Sequence, residues 1–113
     1  MPLKIDEKSQ GDWTVVAPVG RIDTLTAKDL ETRLGELLSS GQNQLVLDLE
    51  NIEFISSFGL RVILITAKKL MAEGKSLPLC NLSDDVKNVF DVSGFSKILP
   101  IHASLADATA ATS

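Results

Sequence analysis

The chain has 113 residues, with 11 basic and 15 acidic side chains giving a formal net charge of −4, and it is 44% hydrophobic and 23% charged. That length holds one domain around one core, and the composition excludes a mainly disordered chain, a collagen-like repeat and a disulfide-stapled miniprotein. The acidic balance, with no Lys/Arg run longer than Lys68–Lys69, argues against nucleic acid or an anionic membrane as a partner.

The lone cysteine, Cys80, cannot form an internal disulfide, which suits a reducing compartment. The opening Met-Pro-Leu-Lys-Ile-Asp has no basic-then-apolar signal pattern, and the longest apolar run, residues 62–65, is far too short to span a bilayer. The expectation is one soluble cytoplasmic domain over residues 1–113, with residues 103–113 as a weak C-terminal helix and tail.

Residues 3–8 and 13–19, joined by Gly11-Asp12, read as a hairpin. Trp13, Val15, Ala17 and Val19 alternate onto one face, and Pro18, lacking an N–H, predicts that the strand ends or lies at an edge there. Residues 26–38 read as a helix with Ala27, Leu30, Leu34, Leu37 and Leu38 on one side. Thr26 with Asp29 resembles a capping box, and Leu25 is placed to staple against Leu30; Gly41 stops the helix.

The apolar run 45–49 reads as a buried parallel strand. Residues 58–71 form a second helix, apolar almost all round and so expected to pack on most sides, closed by Gly74. Residues 77–82 read as a strand with edge character at Pro78. Ser83 caps a third helix carrying Asp84 and Asp85 in its first turn and ending at Ser93-Gly94. A short strand around residues 98–101 and a weak helix from Ser104 complete the order β-β-α-β-α-β-α-β-α. Alternating strands and helices imply a small, mostly parallel sheet with an antiparallel edge supplied by the hairpin. The loops 20–25, 50–57 and 82–85 then share one edge, where α/β folds carry their sites.

Three motifs fail on their context. Gly74-Lys75-Ser76 lacks the earlier glycine of a phosphate loop and runs from helix to strand. Ser57-Phe58-Gly59 lacks the leading glycine of a nucleophile elbow, and a Ser-His-Asp triad would depend on one distant His102. Asn81-Leu82-Ser83 is a sequon without meaning in a cytosolic chain. Cys80 and His102 are single, so no metal site is expected, nor any cofactor; Cys80 and Trp13 read as packing residues. What remains is the loop from Asn51 to Arg61, which ends in two serines at a helix start. Either serine can be a simple cap. Capping is the first reading of the residues alone; the second is a regulatory phosphate, which a helix N-terminus with Arg61 one turn on suits.

Here the sequence resembles the STAS domain family, and within it the bacterial anti-sigma factor antagonists. Ile55-Ser-Ser-Phe-Gly-Leu-Arg61 is similar to the family's Ser-Ser-Ala-Gly-Leu-Arg branch. Gly20-Arg-Ile-Asp23 is similar to its Gly-Glu-Leu-Asp, and residues 90–98 to its closing Phe-x-x-Ser-Gly-x-x-x-Ile. The resemblance covers nearly the whole chain and implies helices mainly on one face of the sheet. It implies a phosphorylation-gated, non-catalytic switch: the unmodified chain binds an anti-sigma factor that is also a GHKL-type serine kinase, phosphorylation releases it, and a PP2C-type phosphatase resets it. Ser57 matches the phosphoacceptor, with Ser56 as second choice, and Asp23, Thr24, Asn51, Ser56, Phe58 and Arg61 are the expected partner-binding residues. Phe58 replaces a small family residue and either plugs the core or projects as an anchor. The alternative function is a non-phosphorylated STAS subunit of another assembly, such as one associated with a transporter.

Overall fold

The computed structural model describes residues 3–110; residues 111–113, the end of the expected tail, lie outside the described residues. Six strands, β1 (Lys4–Gln10), β2 (Trp13–Ile22), β3 (Leu45–Asp48), β4 (Ile52–Ile55), β5 (Leu79–Cys80) and β6 (Ile101–His102), interleave with four helices. These are α1 (Thr26–Ser39), α2 (Ser57–Met71), α3 (Asp84–Ser93) and α4 (Leu105–Ala110), with a 3₁₀ turn at Phe95–Lys97. The sheet order is β1-β2-β3-β5-β6, with β4 joined to β2 alone. The hairpin is antiparallel and every other pairing is parallel.

Two cores divide the apolar residues. The larger one buries Val16 and Ile22 of β2 with Leu30 and Leu34 of α1, Ile63 of α2 and Phe90 of α3. The smaller, on the opposite face, gathers Val15, Val46 and Cys80 under Ala108, with Trp13 and Leu105 packed against it. So α1, α2 and α3 cover one face and α4 the other. The alternating set read from Trp13, Val15, Ala17 and Val19 is real, but the main core takes the other phase of β2. Cys80 is fully buried, and its thiol is pushed up to about 12 by burial first, then by the Asp48 and Glu50 carboxylates.

Neither proline expected at an edge lies at one: Pro18 is inside the interior strand β2 and Pro78 comes just before the interior strand β5. β2 runs straight through Pro18, whose partner on β1 is Ile5. On the other side, Thr14 donates its N–H to Gln44 O and Gly20 donates to Asn51 O. Pro18 has the same phase, and it falls where β3 has ended at Val16↔Leu47 and β4 has not begun at Gly20↔Ile52. Its missing N–H therefore costs no ladder bond. Pro78 precedes the two paired residues of β5, and its carbonyl accepts from Leu47 N–H. The strand expected at 98–101 begins later, because residues 95–97 form the 3₁₀ turn and Leu99 is buried beneath it. Nor is α2 packed on most sides: Phe58, Ile65 and Met71 lie on its open face.

The strand β4 is absent from the sequence-based order. An Asx turn, with Glu50 N–H donating to Asp48 Oδ1 at 3.1 Å, breaks β3 from it. Its register then slips between Gly20↔Ile52 and Arg21↔Phe54, leaving Glu53 as a bulge. The bulge puts the two buried isoleucines three residues apart and destroys the period-two signal.

Candidate functional site

The serine turn is built by the ends of two neighbouring strands. Ile22 pairs with Ile55, and Ser56 N–H donates to Ile22 O at 2.7 Å. Asp23 and Ser56 therefore leave the sheet side by side. Ser56 is the N-cap of α2: its backbone is extended and its Oγ accepts from Gly59 N–H at 3.2 Å, which occupies one otherwise unpaired donor of the first turn. Ser57 is the first helical residue and is exposed. Among the described residues no side-chain hydrogen bond involves its hydroxyl. The two serines, alike in sequence, thus differ in what their oxygens are free to do.

Gly59 is the residue that the sequence reading passed over. A Cβ there would lie 2.6 Å from Ile22 Cγ2 and 2.8 Å from Ile55 Cγ1, so only glycine lets the first turn of α2 sit this close to the strand ends. The signal was present in the motif, one residue after Phe58, but sterics of this kind appear only once β4 is known to be a strand.

Asp23 organises the neighbouring turn. Its Oδ1 accepts from the N–H groups of Leu25 and Thr26 at 3.0 and 2.9 Å, while Thr26 Oγ1 accepts from Asp23 N–H at 2.8 Å and donates to Arg21 O at 2.6 Å. The Thr26 amide, with the Leu25 amide beside it, holds the Asp23 carboxyl below its ordinary range. This replaces the expected capping box: Asp29 instead accepts from Leu3 N–H at 3.0 Å. Leu25 is 82% exposed and staples nothing.

Thr24, Phe58 and Arg61 meet at a cavity of about 410 Å³ between α1 and α2, with Lys28, Glu31 and Ile65 on its rim. Phe58 is 50% exposed, so it projects and does not plug the core. Asn51 stands apart: it precedes β4, whereas the serines follow it, a separation of about 13 Å at 3.3 Å per strand residue. It borders a different hollow with Asp6, Lys8 and Glu50. On the far side of β4, Glu53, Phe54 and Ile55 face Asp85, Val86 and Val89 of α3, and Arg21 stacks over the Phe54 ring at 4.5 Å. His102 lies on the edge strand β6 and its Nε2 is buried without a hydrogen-bond partner, so it does not engage a serine. Among the described residues no group of three or more His, Cys, Asp or Glu could hold a metal, and no helix is long and apolar enough to cross a membrane.

A small mixed sheet with three helices on one face and an exposed serine turn at its parallel strand ends is the architecture of the STAS domain, and the chain belongs to that family, whose profile matches residues 4–108. Its relatives lie among the bacterial anti-sigma factor antagonists. The chain is 40% identical to the protein BtrV of Bordetella bronchiseptica over 92 residues, 81% of this chain and 79% of that one. It is 30% identical to the anti-sigma F factor antagonist of Paenibacillus polymyxa over 103 residues, 90% of this chain and 88% of the relative. The crystal structure of an anti-sigma factor antagonist from Mycobacterium paratuberculosis superposes with a TM-score of 0.88 at 26% identity, covering 96% of this chain and 92% of that one. By family and by these relatives, the chain is kin to the bacterial anti-sigma factor antagonists.

Proposed function

We propose that Ser57 is the switch of this anti-sigma factor antagonist. Unmodified, the chain binds an anti-sigma factor that is also a GHKL-type serine kinase, in the cytoplasm, through the edge carrying Asp23, Thr24, Ser57, Phe58 and Arg61. In phosphorylation, Ser57 Oγ bonds to the γ-phosphorus of ATP, the β,γ-bridging P–O bond breaks, ADP leaves and the hydroxyl proton passes to a base of the kinase. A PP2C-type phosphatase resets the switch by adding water across the phosphoester, which releases inorganic phosphate and restores the hydroxyl.

The observation that carries this reading is the division of labour between the serines. Ser56 Oγ is committed to Gly59 N–H, whereas Ser57 is exposed at the first position of a 15-residue helix. A phosphate there adds about −1.5 to −2 charges at pH 7. In the free chain the first-turn amides and Arg61 offset that charge. Inside an interface the same group must be desolvated without a dedicated partner, which costs several kcal/mol. About 2.7 kcal/mol already weakens binding a hundredfold.

Mass spectrometry after incubation with the kinase and ATP tests the site. Phosphate is expected on Ser57, with Ser56→Ala still modified, Ser57→Ala bound but resistant to release, and Ser57→Asp bound weakly. Phosphate on Ser56 would move the switch by one residue. A stable complex carrying no phosphate at all would favour a non-phosphorylated STAS subunit of another assembly.

A further inference from the structure

We infer that the groove between α1 and α2 is the docking slot for an apolar–acidic segment of the same kinase, with Phe58 as the residue that selects it. The inference rests on the phosphoswitch reading above. Three observations converge on this occupant. First, Phe58 is the residue after Ser57, so a kinase that brings ATP to Ser57 comes close to Phe58 and the near end of the groove. Second, the groove is apolar where it matters. Phe58 and Ile65, 50% and 39% exposed, flank the buried Val62 and Ala27. Positions 58, 62 and 65 fall on one stripe of α2, so two large apolar side chains are left to solvent beside a space of about 410 Å³. Aromatic side chains are enriched in the cores of protein–protein interfaces, and here one stands half exposed beside such a space.

The third observation is charge. Arg61 and Lys28 border the groove and Glu31 is the one carboxylate there. Among the described residues neither cation belongs to an ion pair, whereas Arg33 and Lys87 elsewhere on the surface do. A rim with one net positive charge on a chain of −4 calls for a partner segment that presents a carboxylate to Arg61 and an apolar side chain to Phe58 and Ile65. Phe58 stands where the resembling motif has a small residue, which makes the anchor a feature of this chain and a means of excluding kinases shaped for the small one.

The probe is the purified serine kinase that forms a complex with the wild-type chain. Its KM and kcat for phosphorylating the chain with ATP, and its Kd in the presence of ADP, are measured for wild type, Phe58→Ala, Arg61→Ala and Phe54→Ala. Phe54, 39% exposed on the opposite side of the serine turn, serves as the control. Phe58→Ala is expected to raise KM and Kd at least tenfold and Arg61→Ala about threefold to tenfold. Phe54→Ala should stay within twofold in KM and Kd though its midpoint falls with the lost Arg21 stack, while Phe58→Ala and Arg61→Ala keep kcat within threefold and their thermal midpoints. Unchanged KM and Kd for Phe58→Ala overturn the groove and leave the phosphoswitch standing, as does an equal loss in Phe54→Ala. A fall in kcat alone also overturns it, assigning Phe58 to the shape of the serine turn. A wild-type complex that never carries phosphate overturns the switch instead, while the Kd series still decides whether Phe58 and Arg61 hold the partner.

Discussion

Substituting Gly59 by alanine adds one methyl group at the most crowded point of the serine turn. The new carbon would lie 2.6 Å from Ile22 Cγ2, 2.8 Å from Ile55 Cγ1 and 3.3 Å from Ile55 Cδ1. Carbon atoms rest at about 3.5–4.0 Å, so both isoleucines must retreat by up to about 1 Å. Neither has room, since Ile22 is fully buried and Ile55 nearly so, and their backbones are tied through the bond from Ser56 N–H to Ile22 O. Overpacking of this kind costs about 1–3 kcal/mol. The alanine regains at most about 1 kcal/mol of helix propensity, and less so close to the helix start. The expected net loss is about 1–2 kcal/mol, or about 4–8 °C in the midpoint of a domain this size, read by thermal and urea unfolding followed by circular dichroism. Gly35 supplies the opposite case. It lies inside α1 and a Cβ there meets nothing within 4 Å, so Gly35→Ala should gain about 0.5–1 kcal/mol. A Gly59→Ala protein as stable as its parent would refute the close approach of α2 to the strand ends.

The remaining expectations are briefer. Leu47→Ala and Ile63→Ala each empty a fully buried site and should cost about 2–5 kcal/mol in urea unfolding; unchanged midpoints would misplace the core. Asp23→Asn should lower the thermal midpoint at pH 7, because the native carboxylate caps two amides. Its folded pKa is lowered, so that stability is complete above the ordinary value of 3.8 and disappears as pH falls through the lower folded value; the difference between variant and parent should close below pH 3.8 and not above it. With its pKa pushed up to about 12, Cys80 holds on the order of a thousandfold less thiolate at pH 8 than an ordinary cysteine. Native protein should therefore resist thiol reagents until it unfolds.

Much of the fold was legible wherever one short-range signal dominated. The 3.6-residue spacing of Ala27, Leu30, Leu34 and Leu37, the stop at Gly41 and the cap at Ser83 each act within a few residues, and all reappear in the structure. Rules that depend on a neighbour did not transfer. Pro18 signals an edge only if something pairs at its position, and here the partner strand changes beside it. The capping box at Thr26 lost to a nearer carboxylate, Asp23, while Leu3 N–H claimed Asp29. At the site, the serines and Phe58 could be picked out from the motif. Their separate roles could not, because a hydroxyl that caps and one that is exposed differ only in where the turn aims them. Asn51 was grouped with the serines because the whole stretch read as one loop, and the intervening β4 sets them apart.

That strand ties the serine turn to the most weakly laddered part of the sheet. β4 is hydrogen-bonded along one side only, to β2, through a bulged register of three residue pairs, whereas β3 is held between β2 and β5. Opening β4 breaks one short ladder and leaves the larger ladder system closed, so its amides should exchange with solvent through a local fluctuation, ahead of those in β3. The serine turn, tied to β4 where Ile55 lies against Gly59 and to β2 where Ser56 N–H meets Ile22 O, should share in that fluctuation more than the sheet behind it.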